Sequence, residues 1–304
     1  MASPMTARSG IRWAGVGMVL ATAATFLTPG LHNHLLIFLA VLIGTTAAWV
    51  SAKRVAITDM PQMVALYNGM GGGSAAAIGA VELLRFSAAG VAPSRTILVL
   101  AMVGSLIGAV SLSGSIIAWA KLDGRMDKRY TFPGMQIFNA CVAVLTVVLG
   151  IMAITTLGVP WIIAFFISAL ALGVLMTLPI GGADMPVVIS LYNALTGLAV
   201  AFEGYVLGIE TLIIAGMMVG AAGILLTRLM AKAMNRPISG VLFSSFGGTT
   251  GEMQEITGSQ KPIEAGDVAA MMAFAERVVI VPAYPLPLAQ SHAKIWEPAQ
   301  NPMD

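Results

Sequence analysis

The sequence predicts an all-α, polytopic membrane helix bundle of about eight transmembrane helices. Hydrophobic residues make up 58% of the chain and charged residues only 10%, whereas roughly a quarter of the residues in a soluble domain are charged. The mean hydropathy is +0.88. Several apolar runs also reach the ~20 residues that a helix needs to cross a ~30 Å hydrocarbon core.

Eight apolar segments follow one another along the chain. The first could be taken for a signal peptide, but no clear small-residue cleavage site precedes His32 and a second segment follows at once. We therefore interpret it as a retained helix. The third is the weakest by hydropathy, because it contains Asn68 and several glycines. The predicted spans are about Ile11–Leu27, Leu35–Val50, Met60–Leu84, Thr96–Ala120, Gly134–Leu157, Trp161–Leu178, Met185–Phe202 and Thr211–Ala233.

The basic residues predict the orientation of these spans, because cytoplasmic loops carry an excess of lysine and arginine. With the N-terminus in the cytoplasm, eleven basic residues lie in inside segments and only Arg85 and Arg95 lie outside. An even number of spans then places both termini in the cytoplasm. The inside residues are Arg8, Arg12, Lys53, Arg54, Lys121, Arg125, Lys128, Arg129, Arg228, Lys232 and Arg236.

The composition gives no support to several classes of function. A formal net charge of +2 is too small to indicate nucleic-acid binding. The single cysteine, Cys141, lies in an apolar run and cannot belong to a disulfide framework. All three histidines lie outside the predicted spans, and we expect neither a metal site nor a catalytic side chain. Glu82, Glu203 and Glu210 stand at span ends, where we expect them to be interfacial.

Two segments 125 positions apart have nearly the same sequence. Asp59-Met60-Pro61 is followed, after four residues, by Leu66-Tyr67-Asn68, and Asp184-Met185-Pro186 is followed at the same spacing by Leu191-Tyr192-Asn193. Each aspartate stands where an N-cap would stand, with proline early in the helix. Each asparagine is then about 13 Å into its helix, close to the middle of the membrane. Polar groups at that depth are costly, so either interhelical hydrogen bonds or a function must account for them.

Small residues recur at spacings that let helix backbones approach each other. Gly69 and Gly73, Gly104 and Gly108, and Gly216 and Gly220 each form a small-xxx-small pair. The glycine-rich run that begins at Gly69 indicates either tight packing or a mobile, hydrated segment beside a transport path. Ser111 and Ser115 are four residues apart and share one face of the fourth helix. Asp184 has two interpretations, a helix cap or a proton relay.

Four stretches of the chain resemble the beta subunit of proton-translocating NAD(P)+ transhydrogenase. The resemblance extends from about Ile11 to about Gln290. The stretches are Asp59–Glu82 (DMPQMVALYNGMGGGSAAAIGAVE), Ser113–Lys121 (SGSIIAWAK), Gly181–Asn193 (GGADMPVVISLYN) and Lys232–Arg236 (KAMNR).

The resemblance implies a membrane domain, residues 1–236, followed by a cytoplasmic linker and the start of a Rossmann-like NADP(H)-binding domain, residues 237–304. It implies an alpha-subunit partner that binds NAD(H), a dimer of subunit sets, and an inner-membrane location surrounded by lipid. Hydride would pass between NADH and NADP+ while protons cross the membrane. The positions Asn68, Ser115, Asp184 and Asn193 correspond to residues of the proton path or its coupling. Some members carry a titratable histidine at the position of Asn68, and others place it on a partner-subunit helix.

The C-terminal region departs from the family pattern. An amphipathic helix (Ala269–Glu276) precedes Arg277–Gln290, which resembles the family's first strand and its glycine-rich phosphate turn. Ala283, Tyr284 and Pro285 occupy the fingerprint, where glycines would allow close approach to the pyrophosphate, and Pro285 has no N–H to donate. Because only 14 residues follow Gln290, we expect a short, incomplete α/β segment and no binding of NADP(H) or NAD(H) by this chain alone.

Three interpretations of function remain open at this point. The chain is a truncated transhydrogenase subunit, a membrane half completed by a separately encoded NADP domain, or, in a different class, a non-enzymatic membrane channel or assembly scaffold. An adjacent reading frame that encodes the missing nucleotide domain would favour the first two interpretations over the third.

Overall fold

The computed structural model describes residues 4–27, 32–90, 93–126, 130–235, 237–238, 240 and 265–275. The chain divides into two compact units, residues 1–56 and residues 57–304. The first unit contains α1 (Pro4–Thr25) and α2 (His34–Arg54). None of the α2 side chains is buried, and Lys53 and Arg54 in its last turn suit the negative end of the helix dipole.

The second unit contains a bundle of six long helices built around α4. The backbone of α4 contacts α3, α6 and α7, while α8 packs on α7 and α5 on α6. Short 3₁₀ turns, Ile57–Asp59 and Gly182–Asp184, lead into α3 and α7. The helices are α3 (Met60–Ala89), α4 (Arg95–Leu122), α5 (Met135–Thr156), α6 (Val159–Thr177), α7 (Met185–Leu207), α8 (Glu210–Ala233) and the short α9 (Ala265–Ala273).

The all-α membrane bundle is confirmed, and each of the eight predicted spans coincides with one of α1–α8. Six helices within the described residues are long and apolar enough to cross a membrane, namely α2 and α4–α8. The polar N-terminal residues of α1 and the glycines and Asn68 of α3 lower their hydropathy, so their crossing stays a prediction. Helix α9 begins four residues before the predicted Ala269, and the predicted strand Arg277–Gln290 lies outside the described residues.

Helices α3 and α7 run further than predicted. They end at Ala89 and Leu207, each five residues beyond the predicted end of its span. Each is followed by a glycine in the left-handed conformation, Gly90 at φ +63° and Gly208 at φ +69°, where a helix commonly stops. As a result, Glu82 and Glu203 lie within helices and not at their ends.

Glycine lets α3 and α4 pack backbone to backbone. A Cβ on Gly108 would stand 2.6 Å from the carbonyl oxygen of Gly72 and 2.8 Å from the amide nitrogen of Ala76. A Cβ on Gly69 would stand 3.0 Å from Cβ of Ser115, and one on Gly73 would meet the Leu112 side chain at 3.2 Å. Tight packing therefore accounts for these glycines. Helices α7 and α8 pack backbone to backbone in the same way, at Gly197 and Gly216.

Lys121, at the end of α4, holds the end of α6. Its side chain is buried, 7% exposed, and its Nζ donates to the carbonyl oxygens of Thr177 at 3.2 Å and Ile180 at 2.6 Å, and also to that of Leu178. The last carbonyls of a helix have no partner within the helix. Lys121 therefore fixes the connection that leads from α6 to Asp184.

The close approach of α3 and α4 predicts that Gly108→Ala destabilises the bundle by about 1–3 kcal/mol, because the new methyl group meets backbone atoms that cannot move aside. The matched control is Gly44→Ala on α2, where nothing lies within 4 Å of the new Cβ. There the substitution should stabilise the helix by about 1 kcal/mol, because alanine has a higher helix propensity than glycine. Unfolding by denaturant in detergent micelles measures both changes. Equal effects of the two substitutions would contradict the close-packing interpretation.

The buried ammonium predicts that Lys121→Met costs about 1–3 kcal/mol of stability, because carbonyl acceptors lose a charged donor. Hydrogen exchange should rise first in the connection Leu178–Asp184. The control is Lys232→Met on α8, where the lysine is exposed and a change within about 0.5 kcal/mol is expected. Unchanged exchange in this connection would show that Lys121 does not hold it in place.

Candidate functional site

The main buried polar cluster lies where α3, α4 and α7 meet. Asn68 of α3 donates from Nδ2 to Ser115 Oγ at 3.0 Å and to Ser111 Oγ at 3.4 Å. Ser111 Oγ donates in turn to the Tyr192 carbonyl at 3.3 Å and lies 2.6 Å from Thr196 Oγ1. The four side chains, those of Asn68, Ser111, Ser115 and Thr196, are all buried. We call them the Asn68 cluster.

The geometry of the Asn68 cluster follows from helix spacing and from glycine. Ser111 and Ser115 stand one turn apart on α4, and Tyr192 and Thr196 stand one turn apart on α7, so each pair presents one face to the other helix. Gly72 provides the space, since a Cβ there would stand 2.9 Å from Cβ of Ser111. Tyr192 and Thr196 were not predicted as site residues, although their spacing repeats that of the two serines.

The amide oxygen of Asn68 is buried and has no hydrogen-bond partner among the described residues. Leaving a buried acceptor unsatisfied costs about 1–3 kcal/mol. Both N–H groups of this amide point to serine hydroxyls, so the oxygen is the open end of the cluster. This oxygen can accept a hydrogen bond from a donor group, but the amide itself cannot take up a proton at neutral pH.

The Tyr192 ring extends the polar contacts to α6. Its hydroxyl lies 2.6 Å from Thr177 Oγ1, and both side chains are buried. Gly114 makes room for the ring, because a Cβ at that position would stand 2.5 Å from Cζ of Tyr192. Tyr192 therefore ties α7 to α4 through its backbone and ring, and to α6 through its hydroxyl.

The two repeats are alike in sequence but not in environment. Asn68 is buried and its side chain is hydrogen-bonded, whereas Asn193 is half-buried and its side chain forms no hydrogen bond within the part of the chain that the structure describes. Tyr67 is 39% exposed and Tyr192 only 3%. The structure therefore brings Asn68 and Ser115 together, but Asn193 does not join them. One step of helix turns a side chain by about 100°, so burying Tyr192 against α4 turns Asn193 away from it.

The two aspartates that begin the repeats also differ. Asp59 is exposed and accepts a hydrogen bond from Thr58 Oγ1 at 3.2 Å, whereas Asp184 is only 3% exposed. Neither carboxylate caps its helix, although both stand at the N-cap position. The predicted N-cap positions are therefore confirmed, but the helix-cap interpretation of the Asp184 side chain is not supported. Asp184 is a buried carboxyl group at the start of α7, beside the connection that Lys121 holds.

Glu203 was predicted to be interfacial, and the structure shows that its side chain faces the inside of the bundle and not its surface. Its side chain is only 1% exposed, because α7 continues past it and carries it between α3 and α4. Both of its carboxylate oxygens are buried without a hydrogen-bond partner among the described residues. Glu82 is half-buried and forms an ion pair with Arg85 at 2.8 Å, and Glu210 is exposed.

The described residues contain no cluster of metal-ligating side chains. No group of three His, Cys, Asp or Glu side chains in these ranges could hold a metal ion. The fingerprint residues Ala283, Tyr284 and Pro285 lie outside the described residues. The chemistry of this segment does not fit a pyrophosphate turn, because Pro285 lacks the N–H that such a turn uses.

Comparison with known proteins assigns the chain to a family. The family model described as NAD(P) transhydrogenase beta subunit matches residues 1–301. Two curated proteins of Rhodospirillum rubrum, both named NAD(P) transhydrogenase subunit beta, are 38% identical over 309 aligned positions that cover 98% of this chain. The chain spans 66% of the length of each of these relatives. This match over nearly the whole chain shows that the protein belongs to the NAD(P) transhydrogenase beta subunit family.

Proposed function

We propose that this chain supplies the proton path of a proton-translocating NAD(P)+ transhydrogenase, a complex that couples hydride transfer between NADH and NADP+ to proton movement. The observation that supports the proposal is the Asn68 cluster, in which three helices contribute hydrogen-bonded polar groups to the inside of an apolar bundle. Buried polar groups in a membrane bundle commonly mark an ion or proton pathway. The Asn68 amide oxygen, buried without a partner among the described residues, leaves an acceptor available at this cluster.

In the proposed path, the proton passes along the hydroxyl groups of Ser111, Ser115 and Thr196. Asn68 orients these groups through its hydrogen bonds. A hydroxyl both donates and accepts, so rotation of these groups can carry a proton along the cluster. Asp184 accepts or releases the proton at the start of α7. Asn193 takes part from the half-buried side of α7, where a helix of another subunit can reach it.

The titratable group beside Asn68 is proposed to come from a partner. An amide does not titrate, and the open Asn68 oxygen is suited to accept a hydrogen bond from a histidine on an alpha-subunit helix. The alpha subunit also carries the NAD(H) domain, and the complex is a dimer of subunit sets in the inner membrane. Bound NADH and NADP+ supply the hydride chemistry. Residues 1–236 form the proton-translocating domain, and residues 237–304 form a cytoplasmic linker and the truncated start of the NADP(H)-binding domain, which binds no nucleotide by itself.

The proposal predicts that Asn68→Leu lowers proton-coupled turnover about tenfold, because a loss of about 1.4 kcal/mol of stabilisation in the rate-limiting step, within the range for a buried hydrogen bond, corresponds to that factor in rate. The chain is assembled with its alpha subunit and an NADP domain in vesicles. Hydride transfer is followed by absorbance and proton uptake by a pH-sensitive dye.

The matched control for Asn68→Leu is Ser74→Ala on the same helix, where the exposed hydroxyl bonds only to the carbonyl of Met70. The control should keep the wild-type rate, and both variants should assemble in equal yield. Equal rates in the two variants would favour a packing role for Asn68. An assembled complex that moves protons without hydride transfer would favour the membrane channel.

The proposed orientation predicts which side of the membrane each connection faces. In a chain with Cys141 replaced by serine, a cysteine at Arg125 should react only with reagent supplied inside, and one at Glu210 only with reagent supplied outside. Both positions are exposed, and neither requires a left-handed backbone. Labelling of position 125 from outside would reverse or disprove the orientation.

A further inference from the structure

We propose that Glu203 is a second proton-binding site, at the end of the bundle opposite Asp184. The inference rests on the proposed function, and it adds the carboxyl group of Glu203 to the proposed proton path. Its residues are Glu203 on α7, Ser105 on α4, and the glycines Gly79 and Gly104, which we call the Glu203 pocket.

The Glu203 pocket is built to admit a carboxyl group. A Cβ on Gly79 would stand 2.5 Å from Oε1 of Glu203, and closer still to Oγ of Ser105. A Cβ on Gly104 would stand 2.6 Å from the same carboxylate oxygen. Any side chain at either glycine would therefore displace the carboxyl group. Helices α3 and α4 each have a glycine at the point where α7 inserts the carboxyl group of Glu203.

The carboxyl group and its neighbour lack partners. Ser105 is 0% exposed and Glu203 is 1% exposed. The Ser105 hydroxyl and both Glu203 oxygens have no hydrogen-bond partner within the described residues. An ionised carboxylate left without a donor or a cation costs several kcal/mol to bury, whereas a protonated one has a hydroxyl that can turn toward Ser105. The pocket therefore suits a carboxyl group that carries a proton.

The charged groups around the pocket do not neutralise an ionised Glu203. On α3, Glu82 follows Gly79 of the pocket by three residues and carries the same charge, and Arg85 is already paired with Glu82 at 2.8 Å. On α4 the pocket presents Ser105, and Arg95 at the start of that helix is exposed. On α8 the nearest charged position along the chain, Glu210, is also exposed. No cation among the described residues forms an ion pair with Glu203.

The position of the pocket connects it to the Asn68 cluster. Thr196 and Glu203 are seven residues apart on α7, about 10 Å along the helix, and both face α4. Asp184 and Glu203 are 19 residues apart, about 28 Å, which is close to the ~30 Å thickness of the hydrocarbon core. Helix α7 thus carries a buried carboxyl group near each end and the Asn68 cluster between them. The step at Glu203 is a reversible protonation, in which one carboxylate oxygen gains a proton and later gives it to the next acceptor.

Infrared spectroscopy of the full chain in lipid nanodiscs tests whether Glu203 carries a proton. A protonated carboxyl group gives a carbonyl stretch separate from the bands of ionised carboxylates, and the stretch shifts in deuterated water. The band should be present at neutral pH, disappear in Glu203→Gln and persist in Glu82→Gln, the matched control on the same end of the bundle. Ser105→Ala should move its frequency. The proposal would be overturned if the band is absent from the wild type or if it persists in Glu203→Gln. A band that appears in the wild type only after sodium ions are removed would also overturn it.

Turnover of the assembled complex then tests whether this proton belongs to the path. Glu203→Gln should lower proton-coupled turnover about 10²-fold, the scale of a lost proton-transfer group, while Glu203→Asp should restore part of it. Normal coupling in Glu203→Gln would overturn the assignment to the path. If even the wild-type complex moves no protons, the proposed function fails, whereas the infrared result for Glu203 stands independently of it.

Discussion

The close approach of α3 and α7 to α4 is the constraint on which the rest of this bundle depends. Lipid offers no hydrophobic driving force between helices, so association relies on van der Waals packing and interhelical hydrogen bonds. Gly72 and Gly108 bring two backbones together, and this distance lets the short side chains of Ser111, Ser115 and Asn68 reach one another. Packing and polar contact therefore have a common cause, and a larger residue at either glycine would weaken both.

The main buried polar groups of this bundle lie where helices meet. The Asn68 cluster lies between three helices, Lys121 closes the end of α6, and Glu203 fills a pocket between two glycines. Lys121 stabilises the fold in a direct sense, because it supplies donors to carbonyls that would lack them. The Asn68 oxygen and the Glu203 carboxyl group are different, because they remain open within the described chain. Buried polar groups that destabilise the fold and have no structural role are the ones for which a function is expected.

The differences between the two repeats show how far a sequence pattern can be extended. The repeated motif predicted two helices with proline near the start and an asparagine at equal depth, and both helices begin where predicted, at Met60 and Met185. Their neighbours differ, however. Helix α3 turns Asn68 toward the serines of α4, and α7 turns Tyr192 toward α4 and Thr177. Equal sequence therefore gave equal depth along the helix axis but unequal rotation about it.

The sequence by itself determined the helical class, the order and approximate ends of the helices, and the position of each polar side chain along its helix, because these depend on local hydropathy and on a fixed rise per residue. It also pointed to Asn68 and Ser115, which the fold brings into contact. Only the tertiary structure decided which face of each helix is buried. That choice separated Asn68 from Asn193, added Tyr192 and Thr196 to the site, and turned Glu203 to the inside of the bundle. The reason is physical: rotation about a helix axis is set by the shapes of neighbouring helices, and in an apolar chain the hydropathy pattern is nearly the same on every face.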